Sequence, residues 1–127
     1  MGDSGRIAAG VVAGAVVWAG LWVGGTLAAQ SAMPDLLTAG ERLEDVGPLL
    51  GYIGYSVVLS VLAGFLAALV AGRGVAMKAV WILAFLQLAL GIFFETSAWN
   101  LTPVWYHLVF LALIVPATVL GGRLKAG

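Results

Sequence analysis

Four long apolar segments occupy most of this chain and leave little sequence for anything else. The first, at residues 7–29, holds 23 consecutive residues without a charged side chain. A membrane-spanning helix needs about 20 apolar residues, because each residue adds about 1.5 Å across a hydrocarbon core about 30 Å thick. Similar segments follow at about 48–71, 75–95 and 103–122. The sequence therefore predicts an all-α membrane protein with four transmembrane helices.

The composition agrees with this prediction and limits the domain organisation. Hydrophobic residues make up 62% of the chain and charged residues 9%, with a mean hydropathy of +1.08. These values are far more apolar than those of an average soluble domain. Because the four segments use nearly the whole chain, we expect one transmembrane domain over residues 1–127 in contact with the lipid bilayer, and no separate soluble domain.

Charge and residue content exclude several functional classes. The six basic and six acidic residues give a net charge of zero, so no nucleic-acid partner is expected. The absence of cysteine excludes disulfides, thiolate metal ligands and iron–sulfur clusters. A single histidine cannot complete a bis-histidine haem site within one chain. We therefore expect no cofactor and no metal.

The first apolar segment has an alternative interpretation as a signal peptide, because Arg6 precedes it and Ala29-Gln30-Ser31 resembles a small-residue cleavage site. Its apolar length exceeds the usual signal-peptide core of about 7 to 15 residues. We therefore expect this segment to be retained as the first transmembrane helix.

The segment after this helix, residues 31–47, carries four of the six acidic residues. Apolar residues recur there at near-helical spacing, opposite a polar face formed by Thr38, Glu41, Arg42 and Asp45. This pattern predicts a short amphipathic helix on the membrane surface, within the first outer loop.

The distribution of lysine and arginine predicts the orientation. Five basic residues fall on one side of the predicted spans, and only Arg42 falls on the other; the five are Arg6, Arg73, Lys78, Arg123 and Lys125. Cytoplasmic loops are enriched in such residues. We therefore expect a multi-pass protein of the bacterial cytoplasmic (inner) membrane with both termini in the cytoplasm.

Small residues at four-residue spacing indicate close helix packing, since lipid removes the hydrophobic drive for helix association. They occur in the first and second spans as Gly10, Gly14, Gly20, Gly24, Ser56, Ser60, Gly64 and Ala68. Two interpretations are open. These ridges either pack against each other within one chain, which we favour, or form the face of a homo-oligomer.

Polar and aromatic residues concentrate towards the outer end of the predicted bundle. Ionisable groups within a membrane are functional candidates, so Glu95 and His107 define a possible outward-facing pocket. Its candidate ligand-binding residues are Glu95, His107, Gln87, Tyr52, Tyr55, Trp99, Asn100 and Tyr106. The alternative is structural: Glu95 fastens the third span to the fourth, and the aromatic residues form the usual interfacial belt.

The segment from Trp99 to Leu108 (WNLTPVWYHL), with the closing Pro116 and the Gly121 to Leu124 sequence GGRL, resembles small four-span bacterial membrane proteins that are functionally uncharacterised. The resemblance is strongest over residues 99–124 and implies no activity. The chain differs from small multidrug transporters, which carry an acidic residue in the first span.

The sequence contains no recognisable catalytic motif, so we do not expect an enzyme. The leading hypothesis is a non-enzymatic membrane protein, either an accessory or structural subunit of a larger membrane complex or a self-associating helical bundle. The alternative is a small transporter or ligand-binding protein that uses the aromatic pocket around Glu95 and His107.

Overall fold

The computed structural model describes residues 2–33, 46–97 and 99–126. Four helices dominate it: α1 (Asp3–Ala32), α2 (Val46–Ala71), α3 (Ala76–Ser97) and α4 (Val104–Ala126). A short 3-10 helix, Trp99–Leu101, lies between α3 and α4. All four long helices are long and apolar enough to cross a membrane, which confirms the predicted all-α, four-span architecture. The amphipathic helix predicted in the first loop lies largely outside the described residues.

Many large apolar side chains point outward, and the interior holds many small residues beside a few large ones such as Trp18 and Phe110. Val16 and Phe93 are each 65% exposed, as expected of side chains that face lipid. The buried core instead contains many alanines, among them Ala63, Ala67 and Ala84. This distribution lets the helix backbones approach one another closely.

The helices form a bundle in which α2 and α3 are central. Each of these two packs against both α1 and α4, and they also contact each other. The helices α1 and α4 have little direct contact, apart from the rings of Trp22 and Phe110, whose centroids are 5.0 Å apart. A tight turn joins α2 to α3, in which Gly72 and Gly74 adopt φ values of 82° and 91° that favour glycine.

Glycines set the closest contact, between α2 and α4. A Cβ atom at Gly64 would collide with the backbone carbonyl of Thr118, and one at Gly121 would collide with the carbonyl of Val61. The backbones of α2 and α4 therefore meet directly, and neither glycine leaves room for a side chain.

The small residues of α1 behave differently at its two ends. A Cβ atom at Gly10 would lie 2.6 Å from the carbonyl oxygen of Ala67, and one at Gly14 would meet Leu83. These two glycines seat α1 against α2 and α3. In contrast, Gly20 and Gly24 have open space where a side chain would be.

On α2, the small residues predicted to mediate helix packing all lie inside the bundle: Ser56, Ser60, Gly64 and Ala68 are buried. The small residues of α2 therefore pack against helices of the same chain. In contrast, no described residue of another helix lies where side chains at Gly20 and Gly24 would be.

Candidate functional site

Glu95 and His107 meet at the end of the bundle where α3 ends and α4 begins. The carboxyl Oε2 of Glu95 hydrogen-bonds to Nδ1 of the His107 ring. The two residues are only 5% and 0% exposed. The short connection between α3 and α4 makes this contact possible, because it turns the chain back within six residues.

The other ring nitrogen of His107 also has partners. Its Nε2 lies 3.0 Å from the backbone oxygen of Trp99 and 3.1 Å from Oγ1 of Thr102. A carbonyl can only accept a hydrogen bond, so Nε2 must carry a proton. The bond between Nδ1 and Glu95 then holds one further proton, on either the carboxyl or the ring. In both cases the pair as a whole is neutral, which suits its burial.

Aromatic rings enclose His107 on two sides. The Trp99 ring stacks on the imidazole with centroids 4.2 Å apart and planes 8° apart. The buried Tyr106 ring meets it nearly edge-on, at 6.0 Å and 68°. These contacts fix the orientation of the imidazole, and the Trp99 ring covers one of its faces.

Hydrogen bonds connect Thr102 to His107 and His107 to Glu95. These are the residue types of a nucleophile, a base and an orienting acid, in that order. A base must accept the nucleophile's proton, and here Nε2 already donates towards the Trp99 carbonyl. The geometry therefore favours holding the two helices together over activating the Thr102 hydroxyl.

Gln87 lies deeper, fully buried in α3, where its amide Nε2 donates to Oγ1 of Thr118 at 2.6 Å. The Thr118 hydroxyl in turn donates to the carbonyl of Ile114 in its own helix. The amide oxygen Oε1 of Gln87 has no hydrogen-bond partner among the described residues. Gln87 is thus a second polar link between α3 and α4.

A third interhelical link joins α1 to α2. Nε1 of Trp18 donates to Oγ of Ser60 at 3.2 Å, and both residues are fully buried. This contact gives the indole N–H of Trp18 an acceptor inside the bundle.

Tyr52 and Tyr55 of α2 pack against α1. Both rings pack against Trp22, with centroids 5.9 and 6.2 Å away. The Tyr55 hydroxyl donates to the carbonyl of Leu21 at 2.6 Å. Beside them lies an apolar groove of about 470 Å³ between α1 and α2, lined by Gly25, Ala29, Met33, Pro48, Gly51, Tyr52 and Tyr55.

The structure thus separates the eight predicted ligand-binding residues into different places. Glu95, His107 and Tyr106 form one buried cluster covered by the partly exposed Trp99 ring, and Asn100 lies exposed beside Trp99 in the 3-10 helix. The two tyrosines of α2 line the groove, whereas Glu95 and His107 do not. Gln87 bonds to Thr118, outside both groups.

Sequence reasoning missed several partners in these contacts. It pairs none of Thr102, Ser60 and Thr118 with the residues that they contact in the structure. The available signal was general: a polar side chain within a membrane needs a partner on a neighbouring helix. That rule does not say which helix supplies it.

Comparison with known proteins gives no match among protein-family models, curated proteins or solved structures. Within residues 2–33, 46–97 and 99–126, no group of three or more acidic or histidine side chains is arranged to hold a metal ion.

Proposed function

We propose that this integral membrane protein is non-enzymatic and acts through contact with other polypeptides in the bilayer. It serves as an accessory or structural subunit of a larger membrane complex, or it associates with copies of itself. The distribution of lysine and arginine supports a place in the bacterial cytoplasmic membrane with both termini in the cytoplasm.

The contrast between the interior and the outer half of α1 carries this proposal. Inside the bundle, the indole N–H of Trp18, the amide N–H of Gln87 and the carboxyl of Glu95 already bond to neighbouring helices. Such pairing stabilises the fold and leaves these groups engaged within the chain. The enclosed Glu95–His107 pair is therefore better suited to fastening helices than to binding a substrate.

One face of the outer half of α1 is left uncovered by the described residues. Gly20 and Gly24, four residues apart, have open space around them, and the adjacent Val16 and Leu27 are 65% and 61% exposed. A glycine pair at this spacing lets another helix approach closely in a membrane. We assign this face, defined by Gly20 and Gly24, to contact with a helix of another polypeptide.

The absence of cysteine from the sequence allows a direct test, because one introduced cysteine is then the only thiol in this sequence. The thiol introduced by Gly24→Cys is labelled with a photo-reactive maleimide, and the protein is illuminated in its native membrane. Gly54→Cys is the matched control, since Gly54 is an exposed glycine of α2 that also has open space around it. We expect a defined cross-linked protein product from Gly24→Cys only. Lipid adducts alone from both variants would contradict the proposal.

A second proposal, a small transporter or ligand-binding protein, is favoured by the groove beside Tyr52 and Tyr55. Its apolar and aromatic walls suit an apolar or cationic ligand. If Glu95 and His107 take part, Glu95→Gln abolishes binding or proton-coupled flux and leaves the melting temperature unchanged. A lower melting temperature with no change in binding or flux identifies Glu95 as a fastener.

A further inference from the structure

Positive charge is concentrated at the end of the bundle where α1 and α3 begin and α2 and α4 end. We call this the basic end and define it by Arg6, Arg73, Lys78, Arg123 and Lys125. Among the described residues the one acidic side chain at this end is Asp3, so the five cations leave four excess positive charges.

Hydrogen bonds place two of the cations together. Nη2 of Arg6 donates to the backbone oxygen of Arg73 at 3.1 Å and also contacts Oδ1 of Asp3 at 3.2 Å. The start of α1 is thereby held against the turn between α2 and α3. The Nε atom of Arg6 is buried and has no hydrogen-bond partner among the described residues.

Helix packing brings the remaining cations to the same end. Gly122 of α4 lies against the side chain of Val80 in α3. The last turn of α4, with Arg123 and Lys125, therefore lies beside the first turns of α3, which carry Lys78. These three side chains and that of Arg73 are exposed and have no ion-pair partner within the described part of the chain.

We infer that the basic end binds the phosphate groups of anionic phospholipids in the leaflet it faces. The ends of membrane-spanning helices lie at the depth of lipid headgroups, so these cations meet phosphates directly. Guanidinium groups suit this role, since their planar fork matches phosphate oxygens. Anionic lipids therefore supply the negative charge that the basic end lacks, and this inference is independent of the contact proposed for α1.

The test is native mass spectrometry of the full chain in mild detergent, titrated with phosphatidylglycerol or with phosphatidylcholine of identical acyl chains. We expect tighter binding of phosphatidylglycerol. Each surface cation contributes about fivefold to anionic-lipid affinity, so the double variant Arg73→Gln with Arg123→Gln loses about 25-fold. The charge-conserving control, Arg73→Lys with Arg123→Lys, retains most of the affinity.

Three results would overturn this inference. Equal binding of the two lipids by the unaltered protein excludes selection by charge, whatever the variants do. Unchanged phosphatidylglycerol affinity in the glutamine variant, at an unchanged melting temperature, removes these arginines from the site. Displacement of the lipid by an equal concentration of inorganic phosphate assigns the basic end to free phosphate instead of lipid.

Discussion

The imidazole of His107 and the carboxyl of Glu95 share a hydrogen bond that joins the first turn of α4 to the last turn of α3. Because His107 also donates to the Trp99 carbonyl, the ring is held from both nitrogens. This buried pair is the main polar connection at its end of the bundle.

Removing either member of the pair leaves the other polar group buried without its partner. We predict that Glu95→Ala and His107→Ala each lower the free energy of unfolding by about 3 kcal/mol. Titration with a denaturing detergent in lipid bicelles measures this change. The double variant is expected to lose much less than the sum of the two single losses, because both remove one interaction. Additive losses would show that the two residues act separately.

Gly64 provides a second prediction, on the contact between α2 and α4. Gly64→Ala places a methyl group against the Thr118 carbonyl and is expected to lower the free energy of unfolding by about 1 to 3 kcal/mol. The matched control is Gly54→Ala in the same helix, where the new methyl group meets open space. Alanine favours helix there, so stability is unchanged or rises by up to about 1 kcal/mol. Equal effects would contradict the close approach of α2 and α4.

Two serines of α2 allow the contribution of a hydrogen bond between helices to be compared with that of a bond within one helix. Ser60→Ala removes the acceptor of the Trp18 indole and is expected to lower the free energy of unfolding by about 1 kcal/mol. Among the described residues Ser56 bonds only to the Ile53 carbonyl of its own helix, so Ser56→Ala has a smaller effect. The order of the two melting temperatures checks this, and a larger loss for Ser56→Ala would refute it.

Substitutions of Gln87 and of Thr118 are expected to change stability differently, although the two side chains share one hydrogen bond. Gln87→Met removes a buried oxygen that has no partner in the described part of the chain, and it leaves the Thr118 hydroxyl bonded to Ile114, so stability stays constant or rises. Thr118→Val leaves the Gln87 amide without an acceptor and lowers the free energy of unfolding by about 1 to 2 kcal/mol. A large loss in Gln87→Met would show that its oxygen has an important partner.

The sequence was sufficient to predict the four helices because the bilayer thickness fixes their length. The predicted span of residues 7–29 falls within α1, and that of residues 75–95 begins one residue before α3 and ends within it. Their partners were harder to predict. In lipid both faces of a helix are apolar, so periodicity does not identify the buried face, and the alternation that marks a core in water is missing.

The candidate site shows the same limit. The pairing of Glu95 with His107 was predictable as one alternative, since a short connection joins their helices. The pairing of Gln87 with Thr118 depends on the rotation of α4 about its axis, which the contact of Gly121 with Val61 helps to set. Nothing near Gln87 in the sequence specifies that rotation.

The proposed function depends on association through the face of α1 that carries Gly20 and Gly24. The most direct test is the mass of the protein in lipid discs cut from its native membrane without detergent. We predict particles with at least two polypeptides at fixed stoichiometry, which fall to the single 13.1 kDa chain in Gly20→Leu with Gly24→Leu. A single chain per disc for the unaltered protein would contradict the account.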